Sequence, residues 1–266
     1  MIRLVVSVFA DHIDELDRHK DGAVIPWACP VPYFGSARTA RVATVGINPS
    51  NLEFTDAAGT ELIGSTRRLP TLGSLGIERW ADANSQHLRS VVSACDGYFL
   101  GKPYDRWFRV LERMLAGTGC TYYGPLATAC HLDLVAFATR QKWSSLAGNE
   151  RGQLIDDNSK SLALLLRWMS ANVLVLNGRS VVKAFEESAQ VTLTPERMHR
   201  WDLPRAGKAV AGFGYLGVID EFAGVPLGRE IVVAGFNHNL QSSFGVTGAA
   251  IHAISDWVGA IVKGRR

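Results

Sequence analysis

The chain has 266 residues, of which 47% are hydrophobic and 20% are charged. This composition suits a globular protein with a full hydrophobic core, and the net charge of +3 permits a polyanionic partner without requiring one. No apolar run is long enough to cross a membrane and no signal-peptide pattern precedes Asp11, so we expect a cytoplasmic protein without a membrane span.

Residues 1–40 are interpreted as a lead-in that ends in a turn rich in proline and aromatic residues. Short apolar runs bounded by turn residues then predict four strands, in chain order at Arg41–Ile47, Ala129–Phe137, Asn172–Leu176 and Glu230–Phe236. Apolar residues at helical spacing predict helices at Tyr104–Ala116, behind the cap-like pair Asn158–Ser159, and at Ile251–Ile261. The segments Leu52–Gln86 and Arg197–Arg229 lie outside this pattern, and the second is predicted to form a hairpin.

The alternation of strands and helices predicts one α/β domain over residues 1–266. Its expected architecture is three α/β/α layers around a central, mainly parallel four-stranded sheet. The scattered cysteines predict buried, reduced thiols; they are Cys29, Cys95, Cys120 and Cys130. Because the histidines show no metal-ligand spacing either, we predict neither a metal nor a cofactor.

Polar residues follow the predicted strands at their carboxyl ends. The first strand runs into Gly46-Ile47-Asn48-Pro49-Ser50, and because proline cannot donate to a sheet ladder, Asn48 lies at the end of the strand. The other strands offer His131 to Asp133, Asn177 to Ser180 and Asn237 to Ser243 at the same edge. Ligands of open α/β sheets bind at this edge, which makes Asn48 the best-supported candidate site residue.

This arrangement resembles the uracil-DNA glycosylase superfamily. Gly46-Ile47-Asn48-Pro49 is similar to the Asn-bearing version of its first motif, and the loop His238–Ser243 resembles its second motif, with Asn239 where the family has proline. The resemblance spans roughly Val42 to Val258. It implies a uracil-DNA glycosylase-like fold and a monomeric base excision repair enzyme, acting on the DNA of a bacterial-type nucleoid. Such an enzyme flips uracil or a related deaminated base out of DNA and hydrolyses the N-glycosidic bond without a cofactor.

The resemblance also implies roles for the motif residues. Asn48 would orient a water toward the sugar through its carbonyl oxygen, since an amide is not a base. His238 would donate from a neutral imidazole to O2 of the uracil anion. Glu53 and Asp56 are nearby carboxylates that could act on the water instead. The other residues assigned to the base site are Gly46, Ile47, Pro49, Ser50 and Asn239.

Further base and DNA contacts leave alternatives open. Asp133 falls where relatives read the uracil edge with Asn, and an ionised Asp accepts from N3–H but repels O4. Either Asp133 is protonated by burial, or backbone N–H groups read O4, or the base preference differs, and His131 could take part. Phe54 would stack on the flipped base, and Leu240 (or Phe244) would fill the vacated base stack. Residues assigned to DNA contacts are Leu240, Ser242, Ser243, Arg67 and Arg68.

Ordinary structural roles compete with these assignments. Asn48 before a proline is also a common turn former, Phe54 suits a core position, and paired arginines are usually solvated. The alternative function is a non-catalytic binder of damaged or abasic DNA with the same fold. A nucleotide-binding α/β enzyme is disfavoured, because no G-x-G-x-x-G follows the first strand and no Walker loop occurs.

Overall fold

A seven-stranded mixed sheet lies at the centre of the computed structural model. The structure describes residues 8, 11–13, 15–16, 18–19, 22–205, 207, 209–242 and 245–264. The strands are β1 (Tyr33–Phe34), β2 (Val42–Gly46), β3 (Ala129–Asp133), β4 (Val173–Asn177), β5 (Thr194–Arg197), β6 (Phe213–Phe222) and β7 (Val225–Phe236). Their order across the sheet is β1-β3-β2-β4-β7-β6-β5.

The prediction of a mixed α/β fold is confirmed, but the sheet has seven strands and not four. The four predicted strands are β3, β2, β4 and β7, which lie side by side and run parallel. The additional strands β1, β6 and β5 pair antiparallel. β1 has only two residues and β5 is partly or fully exposed, so neither shows the apolar run that marks the central strands. The segment Arg197–Arg229 does contribute to a hairpin, but the second strand of that hairpin is β7, the last core strand itself, which begins at Val225.

Six α-helices surround the sheet in the part of the chain that the structure describes between residues 22 and 264. They are α1 (Leu72–Leu75), α2 (Ser85–Asp96), α3 (Asp105–Leu115), α4 (Gly148–Trp168), α5 (Arg179–Ala189) and α6 (Gly248–Lys263). The predicted helices at α3 and α6 are confirmed. The interpretation of Asn158 as a helix cap is wrong, because α4 begins at Gly148 and Asn158 is buried within it. Its Oδ1 accepts from the backbone N–H of Ala136, and its Nδ2 donates to the Leu154 carbonyl.

The predicted lead-in contributes to the hydrophobic core. Val24, Val31, Tyr33 and Phe34 are each 1% exposed or less, and β1 pairs with β3. The four cysteines are buried and free, as predicted, and burial raises the pKa of the Cys29 thiol above its ordinary range. Within the described residues, no helix is both long and apolar enough to cross a membrane.

The parallel strands set the geometry of the candidate site. β2 is flanked by β3 and β4, and β7 lies beyond β4. Two inter-strand spacings, about 10 Å, therefore separate β2 from β7 across the sheet. Because these strands are parallel, the segments after Gly46, Asp133, Asn177 and Phe236 all leave the sheet at the same edge.

Candidate functional site

A small cavity lies where β2 and β3 end. Its volume is about 40 Å³, which is room for a few water molecules. Its lining residues are Phe34, Asn48, Pro49, Ser50, Glu53, Trp107, Phe108, His131 and Asp133. Asn48, Ser50 and Trp107 are partly exposed while the others are buried, so these three residues form the mouth of the cavity. The cavity joins four polar side chains that the sequence singled out: Asn48, Glu53, His131 and Asp133.

The Asn48 side chain has a fixed orientation at this mouth. Its Nδ2 donates to the carbonyl oxygens of Pro49 (3.1 Å) and Phe137 (3.3 Å) and to Thr139 Oγ1 (3.1 Å). Among the described residues, no hydrogen bond reaches Oδ1. Because only the nitrogen can donate to carbonyl groups, these contacts determine which way the amide points. Asn48 therefore presents an acceptor and not a donor to a ligand.

Glu53 is a buried acid at the inner end of the cavity. Ser50 begins the turn of 3₁₀ helix (Asn51–Glu53) that carries it, with Ser50 Oγ accepting from the Leu52 N–H. Tyr98 Oη donates to Glu53 Oε2 and accepts from the N–H of Tyr104. Burial raises the pKa of Glu53 to about 8, partly offset by the Tyr98 hydrogen bond. The carboxyl group is therefore protonated at neutral pH.

His131 and Asp133 both lie on β3 with their side chains toward the cavity. His131 Nε2 is 3.3 Å from Asp133 Oδ1, and the two residues are 1% and 5% exposed. On the other side of the ring, His131 Nδ1 lies 2.7 Å from Thr44 Oγ1, which in turn contacts the Tyr122 hydroxyl. The His131 ring packs against Trp107 at a centroid distance of 4.8 Å, and also against Phe34 and Phe108.

Gly46 is the residue that allows Asp133 and His131 to come this close to β2. A Cβ atom at Gly46 would lie 2.4 Å from Asp133 Oδ1 and 3.0 Å from His131 Nε2. Any side chain here would displace both groups, so the close packing of β2 and β3 requires a glycine at this position. The neighbouring Ile47 is half-buried and accepts from the N–H of Val135.

His238 lies in a different and larger pocket. This pocket has a volume of about 420 Å³ and is lined by Leu203, Arg205, Val210, Asn237, His238, Asn239, Ser242, Gly245 and Val246. The His238 Nε2 is 2.7 Å from the Trp201 carbonyl, and because a carbonyl only accepts, Nε2 carries the proton. Burial lowers the pKa of His238, which keeps the imidazole neutral. In this tautomer Nδ1 is an acceptor.

The structure therefore does not place Asn48 and His238 in one cavity. The His238 ring is directed at Trp201, beyond β7 on the side away from β2. Donation from His238 to a base oxygen, as expected from the resemblance, requires the ring to leave the Trp201 carbonyl. Asn239 and Ser242 accompany His238 in the larger pocket, whereas Gly46, Pro49 and Ser50 accompany Asn48.

Gln241 connects the loop after β7 to the wall of the smaller cavity. Its Nε2 donates to the carbonyl of Trp107, which lines that cavity, at 3.3 Å. Its Oε1 accepts from Asn177 Nδ2 at 2.6 Å, and Asn177 Oδ1 accepts from the N–H of Leu240. The ends of β4 and β7 and the start of α3 are thus joined by one hydrogen-bonded chain. This chain brings the loop after β7 to the wall of the smaller cavity through Trp107, and it does not reach Gly46 to Pro49 directly.

Two other predicted site residues, Phe54 and Leu240, are buried in the hydrophobic core. Phe54 is 1% exposed and packs edge-on against Trp27, so a base could reach its ring only if the loop moved. Leu240 is 5% exposed and belongs to the core, which leaves no free side chain to enter a base stack in this conformation. Ser243 and the alternative Phe244 lie outside the described residues.

The remaining charged candidates are Arg67, Arg68 and Asp56, and two of them hydrogen-bond to the backbone of their own loop. Arg68 donates to the Leu52 carbonyl at 2.7 Å and lies over the Tyr104 ring, so it fastens the loop that carries Glu53. Arg67 is half-buried. Asp56 is exposed and accepts from the N–H groups of Ala58 and Thr60, which is a turn role. Between the two alternative carboxylates, only Glu53 lines the cavity.

Phe34, Tyr98 and Gln241 are site residues that sequence reasoning missed. Phe34 belongs to a two-residue strand, and Tyr98 reaches Glu53 from a distant turn, so neither has a local signal. Gln241 lies within the loop His238–Ser243, where the sequence gives no reason to single it out from its polar neighbours. Within the described part of the chain, no group of three or more His, Cys, Asp and Glu side chains is arranged to hold a metal ion.

In comparisons with known proteins, no family model matches the chain, and no curated protein matches it.

Proposed function

We propose that the protein is a DNA glycosylase that flips uracil or a related deaminated base out of DNA and hydrolyses its N-glycosidic bond at the Asn48 cavity. The observation that carries this proposal is the fixed Asn48 amide, whose free Oδ1 lies at the mouth of a buried polar cavity. The resemblance of Gly46 to Pro49 to the first glycosylase motif supports it. The proposal includes the three-layer α/β/α architecture of that superfamily and action as a monomer in the cytoplasm.

In the proposed reaction, the Asn48 Oδ1 accepts a hydrogen bond from the attacking water and directs its oxygen at C1′ of the deoxyribose. Water attacks as the C1′–N1 bond breaks, and the bonding electrons leave on N1 of the base and spread to O2. The proton of the water passes to solvent. Because an amide cannot remove that proton, Asn48 contributes orientation and not basicity, an effect that is worth on the order of a hundredfold in rate.

The larger pocket is assigned to the DNA beside the flipped nucleotide. It lies at the same sheet edge as the Asn48 cavity, and Arg205 and Asn239 offer polar groups for a phosphate or sugar. His238 shapes this pocket through its bond to Trp201. If DNA binding turns the ring toward the base, His238→Ala should lower the rate about a hundredfold. A loss below about fivefold would show that the ring stays on Trp201.

The second candidate function is a non-catalytic binder of damaged or abasic DNA. The separation of Asn48 and His238 into two pockets favours it, because a binder does not need the two side chains to act on one bond. The two candidates predict different results in one assay. An enzyme releases free uracil, whereas a binder retards the DNA without release.

The test uses end-labelled oligonucleotides that contain a single uracil, as single strands and as matched and mismatched duplexes. Mismatched uracil is expected to react fastest, because an unpaired base costs least to flip. Alkali cleavage measures abasic sites, and gel retardation measures binding. Asn48→Ala should lower the rate of release about a hundredfold and binding only a few-fold, and the exposed Asn149→Ala is the matched control. Equal loss of binding and release in Asn48→Ala would assign Asn48 a structural role.

A further inference from the structure

The inner end of the Asn48 cavity contains two buried acids. Glu53 is 3% exposed and Asp133 is 5% exposed, and both line the same space of about 40 Å³. Glu53 comes from the segment after β2, and Asp133 is the last residue of β3. Two carboxylates that share one small, poorly solvated space cannot both ionise at low cost, so such pairs retain one proton.

Glu53 is the acid of the two whose surroundings favour its protonated form. Desolvation is the largest influence on the pKa of Glu53 and raises it. The hydrogen bond from Tyr98 and the charge of Arg68 lower it by less, and the charge of Asp133 raises it by the smallest amount. Burial accordingly raises the pKa of Glu53 to about 8. Asp133 has the imidazole of His131 as its neighbour, 3.3 Å from Oδ1.

His131 supplies an independent indication that a ligand belongs in this cavity. Its Nε2 is fully buried and makes no well-directed hydrogen bond, its polar neighbour being Asp133 Oδ1 at 3.3 Å, while its Nδ1 lies 2.7 Å from Thr44 Oγ1. A buried polar atom without a partner costs about 1–3 kcal/mol and is rare in folded proteins. Here it lies beside Asp133 in the lining of the cavity, where a polar ligand could reach it.

We propose that Glu53 and Asp133 read the polar edge of the base, with Glu53 donating to O4 and Asp133 accepting from N3–H. This inference rests on the proposed function and names the residues that select the base. The cavity of about 40 Å³ is too small for a whole base, so only its polar edge would enter, with the ring and sugar toward the mouth at Asn48. One donor beside one acceptor is the complement of the N3–H and O4 of uracil.

The resemblance expects an Asn at position 133, where one side chain would contact both N3–H and O4 of the base. With Glu53 beside it, Asp133 does not have to contact O4. Asp133 alone would repel that oxygen, but it faces only N3–H if Glu53 provides the proton for O4. The cost is a dependence on pH. Once Glu53 loses its proton, both side chains can only accept, and the edge with O4 is rejected.

The experiment measures uracil release and gel retardation for the wild-type protein, Glu53→Gln and Glu53→Leu between pH 6 and pH 9. Gln keeps a donor at every pH, and Leu keeps none. The exposed Glu78→Gln is the matched control and should follow the wild-type profile. Circular dichroism at each pH reports whether every variant is folded.

The wild-type rate should be level near pH 6 to 7 and fall toward tenfold per pH unit above about pH 8, as the Glu53 proton is lost. Glu53→Gln should be several-fold slower at pH 7 but show no fall up to pH 9. Glu53→Leu should be slower by about a hundredfold or more at every pH, because O4 is left without a partner.

Two results would overturn the inference while leaving the proposed function in place. One is an alkaline fall in Glu53→Gln equal to that of the wild type. The other is a wild-type rate that rises through pH 8 with an inactive Glu53→Gln, since that would make Glu53 a general base. If the wild-type protein releases no uracil at any pH, the proposed function fails instead. In that case the pH dependence of gel retardation tests the inference, by comparing the wild-type protein with Glu53→Gln. An alkaline loss of binding that is equal in both would overturn it.

Discussion

Replacing Glu53 by Gln should stabilise the protein, and the gain should depend on pH in a defined way. Glu53 is fully buried, and its pKa is raised from 4.5 to about 8, mainly by desolvation. Below pH 4.5 the carboxyl group is protonated in both the folded and the unfolded chain. Between pH 4.5 and pH 8 the folded protein keeps a proton that the unfolded chain has lost, so stability falls as the pH rises.

The size of this effect follows from the two pKa values. Each pH unit between them removes about 1.4 kcal/mol from the free energy of unfolding. The loss from this one group is about 3 kcal/mol at pH 7 and approaches about 5 kcal/mol at pH 8 and above. Gln cannot ionise and can still accept the Tyr98 hydrogen bond. The free energy of unfolding of Glu53→Gln should therefore not show this pH-dependent decrease.

Urea denaturation of the wild type and Glu53→Gln at half-unit steps from pH 4.5 to pH 9 measures the difference directly. Groups that do not interact with Glu53 titrate alike in both proteins, so their contribution cancels in this difference, and the exposed Glu78→Gln should show a difference near zero throughout. A Glu53→Gln difference that stays constant with pH would refute the reasoning, because it would mean that Glu53 titrates at its ordinary value in the folded protein.

Two further substitutions probe the packing around the site, and each has a defined expectation. Gly46→Ala should destabilise the protein by about 1–3 kcal/mol in urea denaturation and lower uracil release more than tenfold. The reason is that the new Cβ would lie 2.4 Å from Asp133 Oδ1. Unchanged stability and release would contradict that clash. Asn158→Ala should lower the free energy of unfolding by about 1–3 kcal/mol without changing the pH profile of release, because it leaves the Ala136 N–H without its partner. A stability within 0.5 kcal/mol of wild type would show that the Ala136 N–H finds another acceptor, a threshold typical of neutral surface changes.

The central part of the fold was predictable because its signals are local. β2 is a short run of small and β-branched residues that ends at Gly46, just before Pro49, and α3 carries apolar residues at helical spacing over its whole length. β5 escaped prediction because its residues, Thr194-Pro195-Glu196-Arg197, are polar and owe their strand conformation to pairing with β6. A strand defined by its neighbour has no signature of its own.

The candidate site was predictable as a location and not as a set of contacts. The position of Asn48 at a strand end follows from the residue types around it. The burial of Glu53 depends on Tyr98, which is 45 residues away in sequence, and no local pattern marks an acid that will be buried. The direction of the His238 ring depends likewise on the Trp201 carbonyl, 37 residues away. The protonation of Glu53 and the orientation of His238 thus depend on contacts between residues far apart in sequence, which local sequence patterns do not reveal.

The two margins of the sheet affect how the protein behaves at high concentration. An unpaired strand margin is a template on which another chain can add a strand, and long apolar margins lead to aggregation. Here one margin is β1, with two residues, and the other is β5, which has a proline and two charged residues in four positions. Self-association through strand addition is therefore disfavoured at both sides, even though the parallel strands between them are strongly apolar.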